Sequence, residues 1–290
     1  MTALVYPNLN KPNSLRCTEQ VCGVLMSENC GIIMDSEYEQ TFGRSDKITY
    51  LDTEECFERC NVVIVTGGDG TILRCARLAS KHDKPILGVN CGTLGFMASL
   101  EAEGIFGLRL LCRGEYSISE RMMLKITVRR EDGGIVTADV LNDVVLMKGE
   151  ECRIADFEVI KSDYVVSELR ADGVIFSTPT GSTAYSLSAG GPIIEPDMEC
   201  IEFSQVCAHT LFSRTIVFSP DSLISVKCHC AEDSHVTISG DGYLIAKLSP
   251  RDMVEISRSE LKTKIIDLTG GSFFRTVNRK LMTPLKQLPQ

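Results

Sequence analysis

The chain has 290 residues, with 30 Lys and Arg against 39 Asp and Glu and a formal net charge of −9; this balance excludes a reader of nucleic-acid backbone, because such binding is driven by clustered Lys and Arg. Hydrophobic residues make up 43 % and charged residues 24 %, an ordinary soluble composition, and a chain of this size buries about three quarters of its extended surface, near the point where one core divides into two. No apolar run approaches the ~18 residues that span a bilayer, no signal-peptide core precedes Pro7 and Asn8, and thirteen cysteines without CxxC spacing fit a reducing compartment, so no membrane partner and a cytoplasmic location are expected.

Strand and helix signals alternate through the first hundred residues, which predicts a parallel sheet with packed helices. Thr2 to Tyr6 reads as a strand, Ser14 to Ser27 as a helix and Gly31 to Met34 as a second strand, whereas Ser36 to Asp52 is polar and irregular and reads as a loop. A strand at Val62 to Val65, a helix ending near Ser80 and a strand at Pro85 to Val89 complete this α/β domain, residues 1–100. After Glu101 the pattern changes to short β-rich segments separated by turn residues: Leu124 to Arg130, Ile135 to Leu141, Val144 to Lys148, Phe157 to Lys161, Gly173 to Ser177, Leu223 to Cys228 and Met253 to Ser257. A β-rich second domain, 101–267, is expected. Phe273 to Leu281 regains helical and basic character, so a C-terminal segment from about 268 to 290 is expected to rejoin the first domain.

The most informative stretch is Asn61 to Leu78, in which a β-branched run enters a turn of three glycines around one carboxylate, Gly67, Gly68, Asp69 and Gly70, and a helical pattern begins at Thr71. Strand, glycine turn and helix N-terminus aim backbone N–H groups at one point, which suits a phosphate at Gly67, Gly68, Gly70 and Thr71. An acid there is unexpected, since two unit charges about 4 Å apart repel by roughly 4 kcal/mol at an effective dielectric near 20. Two readings compete for Asp69. As a turn and capping residue it would accept hydrogen bonds from the N–H groups of Thr71 or Ile72. As a general base it would take a proton from an attacking hydroxyl, an effect of about 10²- to 10⁴-fold in rate.

Other constellations follow. Gly88 to Phe96 places three glycines at the C-terminal edge of a strand, where open α/β sheets bind ligands. Asn142-Asp143 opens a strand with an amide and a carboxylate, either an Asx turn or a pair that reads a base edge and a ribose diol. Between Ser177 and Thr183 five of seven residues are Ser or Thr, followed by Tyr185, a density of hydroxyls beside a ring that suits a sugar and a flat heterocycle. Ser239-Gly240-Asp241-Gly242-Tyr243 reads as a hairpin turn. Cys228 and Cys230 share one strand face and His229 the other, which argues against zinc.

Together these residues resemble the NAD kinases, which phosphorylate the adenosine ribose 2′-hydroxyl of NAD to give NADP. The resemblance runs in order through ALVYPN, GGDGT, GVNCGTLGF, LNDVV, ADGVIFSTPTGSTAYSLSAGGPI, SGDG and FFRTVNRKL. GGDGT is shared with lipid kinases and phosphofructokinases, while the Ser- and Thr-rich segment is far more specific. The resemblance implies an α/β N-terminal domain with a parallel sheet, a β-rich C-terminal domain, a dinucleotide held between them and a homodimer or homotetramer. It puts Asp69 on the catalytic base, with Gly70 at the phosphates. Asn142 and Asp143 fall on the pair that holds adenosine, where many members carry Glu at the second position. Arg74, Arg153, Arg170, Asp172, Thr183, Ala184, Tyr185 and Ser188 fall on further NAD-contacting positions. Tyr243 stands where the family often has Gln, and Ala208 where a Pro commonly precedes the His. The expected reaction is phosphoryl transfer from ATP to an alcohol, with Mg²⁺ arriving on the nucleotide because no compact carboxylate cage is evident. Two rivals remain: a lipid or sugar kinase sharing the glycine turn, and a non-catalytic NAD(P)-sensing module.

Overall fold

The computed structural model describes all residues except 12, 93–94, 153, 211–212, 231–233, 269, 271–272 and 283–290. The chain forms two compact units, Met1–Glu120 joined by the stretch from Thr263 onward, and Arg121–Lys262.

The first unit is built on parallel strands in the order Ile86–Asn90, Val62–Gly67, Thr2–Pro7, Gly31–Asp35 and Ile48–Leu51. Strand Val62–Gly67 is buried at every position, as a central parallel strand covered on both faces must be, which is why it reads as an unbroken β-branched run. Helices Ser14–Ser27, Thr53–Arg59 and Asp69–Lys81 connect the strands, and Val21, Leu25, Ile32, Met34, Ile64 and Leu87 pack in one apolar core. The expected loop between Ser36 and Asp52 is overturned: it holds a short helix, Glu39–Phe42, and the strand Ile48–Leu51. Only one side of this last strand is paired and none of its residues is fully buried, so its sequence lacks the apolar run that marks the central strands. The C-terminal helix Phe273–Val277 is present, continued as a π-helical turn Asn278–Met282.

In the second unit six antiparallel strands run in the order Ile216–Phe218, Ile201–Val206, Gly173–Ser177, Asp143–Lys148, Val236–Gly240 and Tyr243–Leu248. A second antiparallel set joins Tyr164–Ala171, Ala155–Lys161 and Ile224–His229, and Ser117–Arg129 pairs with Ile135–Val140. Phe176 stacks on Phe203 at 5.1 Å within a core that includes Phe157, Leu146, Ile238 and Val254. Each such side chain contributes about 1.5–3 kcal/mol when fully buried. The hairpin read at Ser239 to Tyr243 is present, and Asp241 and Gly242 both adopt positive φ, 48° and 83°, the pattern of a type I′ turn.

Candidate active site

In the first unit, strand Val62–Gly67 delivers the glycine turn to the C-terminal edge of the sheet, and helix Asp69–Lys81 starts at once with Gly68 as its N-cap. The Thr71 and Ile72 N–H groups donate to Gly68 O at 2.8 and 3.2 Å, and Thr71 is buried, so the donors that the turn can present to a ligand are those of Asp69 and Gly70, ahead of the first intrahelical bonds, and not the N–H of Thr71 expected from the sequence. Gly67 is required by packing, because a Cβ there would meet Thr71 Oγ1 at 2.5 Å. Gly70 is different: its φ is not positive and no described atom lies within 4 Å of where its Cβ would be. Glycine at that open position leaves room for the backbone to be approached closely.

The capping reading of Asp69 is overturned. The Thr71 and Ile72 N–H groups go to Gly68 O rather than to its carboxylate; instead Phe96 N–H donates to Oδ2 at 2.8 Å and Met97 N–H to Oδ1 at 3.2 Å. A carboxylate has about four acceptor sites, so two fixed N–H donors orient the group and leave acceptor capacity for a substrate hydroxyl. The fit is close, since a Cβ on Gly95 would lie 2.0 Å from Asp69 Oδ1. One cation borders this turn and a second packs on the Phe96 ring. Lys11 Nζ lies 2.9 Å from the point a Cβ on Gly68 would occupy, on a loop tied down by an Asn8 Nδ2 bond to Thr71 Oγ1 of 2.9 Å. Lys280 Nζ sits 4.2 Å above the Phe96 ring.

In the second unit, Asn142 and Asp143 are buried at the start of strand Asp143–Lys148. The carboxylate of Asp241, in the hairpin turn, accepts N–H bonds from Leu141 at 2.8 Å, Asn142 at 2.7 Å and Asp143 at 3.4 Å. With the backbone so fixed, Asn142 Oδ1 is buried and makes no hydrogen bond among the described residues. Burial, then the charge of Asp241, push the Asp143 carboxyl up to about 7, opposed by a bond from the Tyr185 N–H. Tyr185 itself is 40 % exposed at the head of the four-residue helix Tyr185–Ser188. Its phenol is also raised, by burial first and then by Cys207, Asp143 and Asp172, which brings these groups into one neighbourhood. The Ser and Thr residues divide by role. Thr178 and Ser182 are buried and bond the backbone of Leu141, Pro179 and Ile194, whereas Thr183 and Ser188 are not buried.

Comparison with known proteins bears on both halves. Residues 4–116 match the family model for the ATP-NAD kinase N-terminal domain and residues 141–268 that for the ATP-NAD kinase C-terminal domain. An NAD kinase of Caldanaerobacter subterraneus subsp. tengcongensis is 37% identical over 96% of this chain and 97% of its own length. This chain belongs to the NAD kinase family. An NAD kinase of Trichlorobacter lovleyi is 35% identical over 96% of each chain. Among solved structures, yeast NADH kinase complexed with NADH superposes with a TM-score of 0.88 at 22% identity, covering 100% of this chain and 89% of that one. An NAD kinase from Archaeoglobus fulgidus in complex with ATP gives 0.71 at 21% identity, covering 97% and 98%. At that identity the two structures speak for the fold, an α/β N-terminal part with a parallel sheet and a β-rich C-terminal part.

The remaining expected NAD-kinase site residues fall as follows. Arg74 is exposed on the helix that Asp69 begins, one turn beyond Gly70. Arg170 forms a two-point ion pair with Asp156 on the adjacent strand, at 2.7 and 3.2 Å, and Asp172 pairs with Lys148 Nζ at 2.7 Å; both are engaged within the unit. Ala184 is half-buried. Arg153 lies outside the described residues. Reading the sequence missed Asp241, Lys11, Lys280 and the backbone of Phe96 and Met97. Asp241 sat in a turn where Asp-Gly is the ordinary hairpin pair, so nothing in the sequence marked it, and the others are set by how distant segments meet. Among the described residues no three of His, Cys, Asp and Glu converge as metal ligands, and no helix is long and apolar enough to cross a membrane.

Proposed function

We propose that this chain transfers the γ-phosphoryl group of ATP to the adenosine ribose 2′-hydroxyl of NAD, giving NADP, with Asp69 as general base. The observation that carries this reading is the Asp69 carboxylate, held by Phe96 and Met97 N–H groups beside a glycine turn rather than used to cap its helix. Asp69 accepts the hydroxyl proton as the ribose oxygen attacks the γ-phosphorus and ADP leaves. The turn N–H groups and the Lys11 ammonium offset the charge of the triphosphate, which answers the repulsion that an acid in an anion cradle otherwise creates. Mg²⁺ enters as part of MgATP, in keeping with its preference for phosphate and water ligands.

The second unit supplies nucleoside recognition. Asn142 Oδ1, a buried acceptor without a partner, fits the exocyclic amine of adenine, because an unmet buried acceptor costs about 1–3 kcal/mol and a ligand donor removes that cost. Asp143, once ionised, accepts the ribose hydroxyls, and the Tyr185 ring packs on the heterocycle. Thr183, Ala184 and Ser188, which flank Tyr185 on this unit, are further candidates for NAD contact, as is Arg74 on the first unit. Thirteen free thiols support a reducing, cytoplasmic setting, and a homodimer or homotetramer is the assembly the family suggests.

Incubation of the purified chain with MgATP and, in separate reactions, NAD, a diacylglycerol and a hexose phosphate tests the proposal. NADP formation from NAD alone is the expected result. A phosphorylated lipid or sugar would favour the rival kinases, and NAD binding without product would favour a sensing module.

A further inference from the structure

Glu202 is fully buried on strand Ile201–Val206, behind the segment that carries Tyr185. Its Oε1 accepts hydrogen bonds from Ser186 Oγ at 2.5 Å and Ser204 Oγ at 3.2 Å, and Ser204 Oγ lies 2.9 Å from Thr215 Oγ1. The Oε2 atom is buried and has no hydrogen-bond partner among the described residues, and burial raises the carboxyl above its ordinary value. The backbone closes over this group: Gly190 has a φ of 88°, Gly191 N–H donates to Ser186 O at 2.9 Å, and a Cβ on Gly191 would lie 2.0 Å from Glu202 Oε1 and 2.6 Å from Ser186 Oγ. A glycine is therefore needed for the loop to seat on the carboxyl.

Stability alone gives little reason for an acid here. A fully buried carboxyl with one unmet oxygen costs free energy, and an apolar side chain of similar volume is often neutral or stabilising at such a site. What the carboxyl does is fix Ser186, the residue after Tyr185, and through it the turn whose Tyr185 N–H donates to the Asp143 carboxyl. Costly groups retained against stability cluster where a ligand must be held.

We propose that Glu202 is a positioning residue for NAD, clamping Ser186 and Gly191 so that the Tyr185 segment stands ready for the nucleoside before it binds. The proposal rests on the NAD reading above for the identity of the ligand, while the clamp itself is tested without ligand.

The experiment compares E202L, E202Q and S186A in the full chain, reading backbone hydrogen exchange over residues 184–191 in the free protein, steady-state constants and thermal midpoint. E202L and S186A are expected to speed exchange in that segment by about tenfold and to raise KM for NAD by a similar factor, with kcat and KM for ATP within about twofold. E202L should keep or raise the midpoint, which separates loss of positioning from loss of fold. E202Q retains an acceptor for Ser186 and should remain within about threefold of the parent in KM for NAD. Unchanged exchange in E202L and S186A overturns the clamp; faster exchange with unchanged KM for NAD overturns its role in NAD binding; a Gln variant as defective as Leu overturns the acceptor argument. If E202L does not fold, S186A decides. NADP formation by the unaltered chain reports separately on the ligand reading.

Discussion

The two units hold their candidate site residues in different ways. The first works mainly through backbone: a glycine turn, a helix N-terminus and two loop N–H groups surround a single carboxylate. The second works through carboxyl groups: Asp241 holds the backbone N–H groups of Asn142 and Asp143, and Glu202 holds the Ser186 hydroxyl beside Tyr185. Backbone donors suit an anion whose shape is the same on every nucleotide, whereas discrimination of a base and a sugar needs placed amide and carboxyl groups. On the proposed function, substitutions in the first unit should strike turnover or ATP, and those in the second should strike affinity for NAD.

The strongest challenge to that division is D69N. It should lower kcat by about 10²- to 10⁴-fold while NAD affinity stays within about twofold, since the base is lost and the nucleoside contacts are untouched; rate and equilibrium binding measured on one preparation would check both. Next is G95A, whose new Cβ must displace the Asp69 carboxylate it would meet at 2.0 Å. A fall in kcat of about a hundredfold with NAD binding kept is expected, because small misplacements of a catalytic group are costly. On the other side of the comparison, N142A should raise KM for NAD by about tenfold with kcat little changed, the equivalent of one lost hydrogen bond to a buried acceptor. K11M sharpens the first unit's assignment: KM for ATP should rise about fivefold and KM for NAD should not move, with K11R restoring much of the loss.

The smallest expected effect is a pH dependence. The Asp143 carboxyl stands at about 7, above its ordinary 3.8, so between those values the folded chain holds a proton that the unfolded chain has released. Its contribution therefore makes stability fall as pH rises through that window. Ionisation near pH 7 also creates the acceptor that the ribose needs, so KM for NAD should drop by about threefold from pH 6 to pH 8. D143N should flatten both trends, as followed by thermal midpoint and by KM across pH.

Much of the first unit was legible because its information is local. A buried β-branched run, three glycines and an amphipathic helix lie within Asn61 to Leu78, and the helix Ser14–Ser27 follows from periodicity alone. The edge strand Ile48–Leu51 was not legible, since half-exposed strands lose the apolar run that signals their buried neighbours. What holds Asp69 was also hidden: its partners Phe96 and Met97 are 27 and 28 residues away and act through backbone N–H groups that any residue carries. In the second unit Asn142, Asp143 and Tyr185 stood out as side chains. Their support did not, because Asp241 lies about a hundred residues from Asn142, and Glu202 reads as an ordinary polar residue of a strand until its burial is known.

A general base at Asp69 requires its carboxylate to be aimed at the hydroxyl to be phosphorylated. A crystal structure of the chain with NAD bound tests it most directly. An Asp69 oxygen is expected within about 2.6–3.2 Å of the adenosine ribose 2′-oxygen, the reach a general base requires, with Phe96 and Met97 still donating to the same carboxylate. A bound NAD whose 2′-oxygen faces some other group, with Asp69 turned away from the ribose, would contradict it.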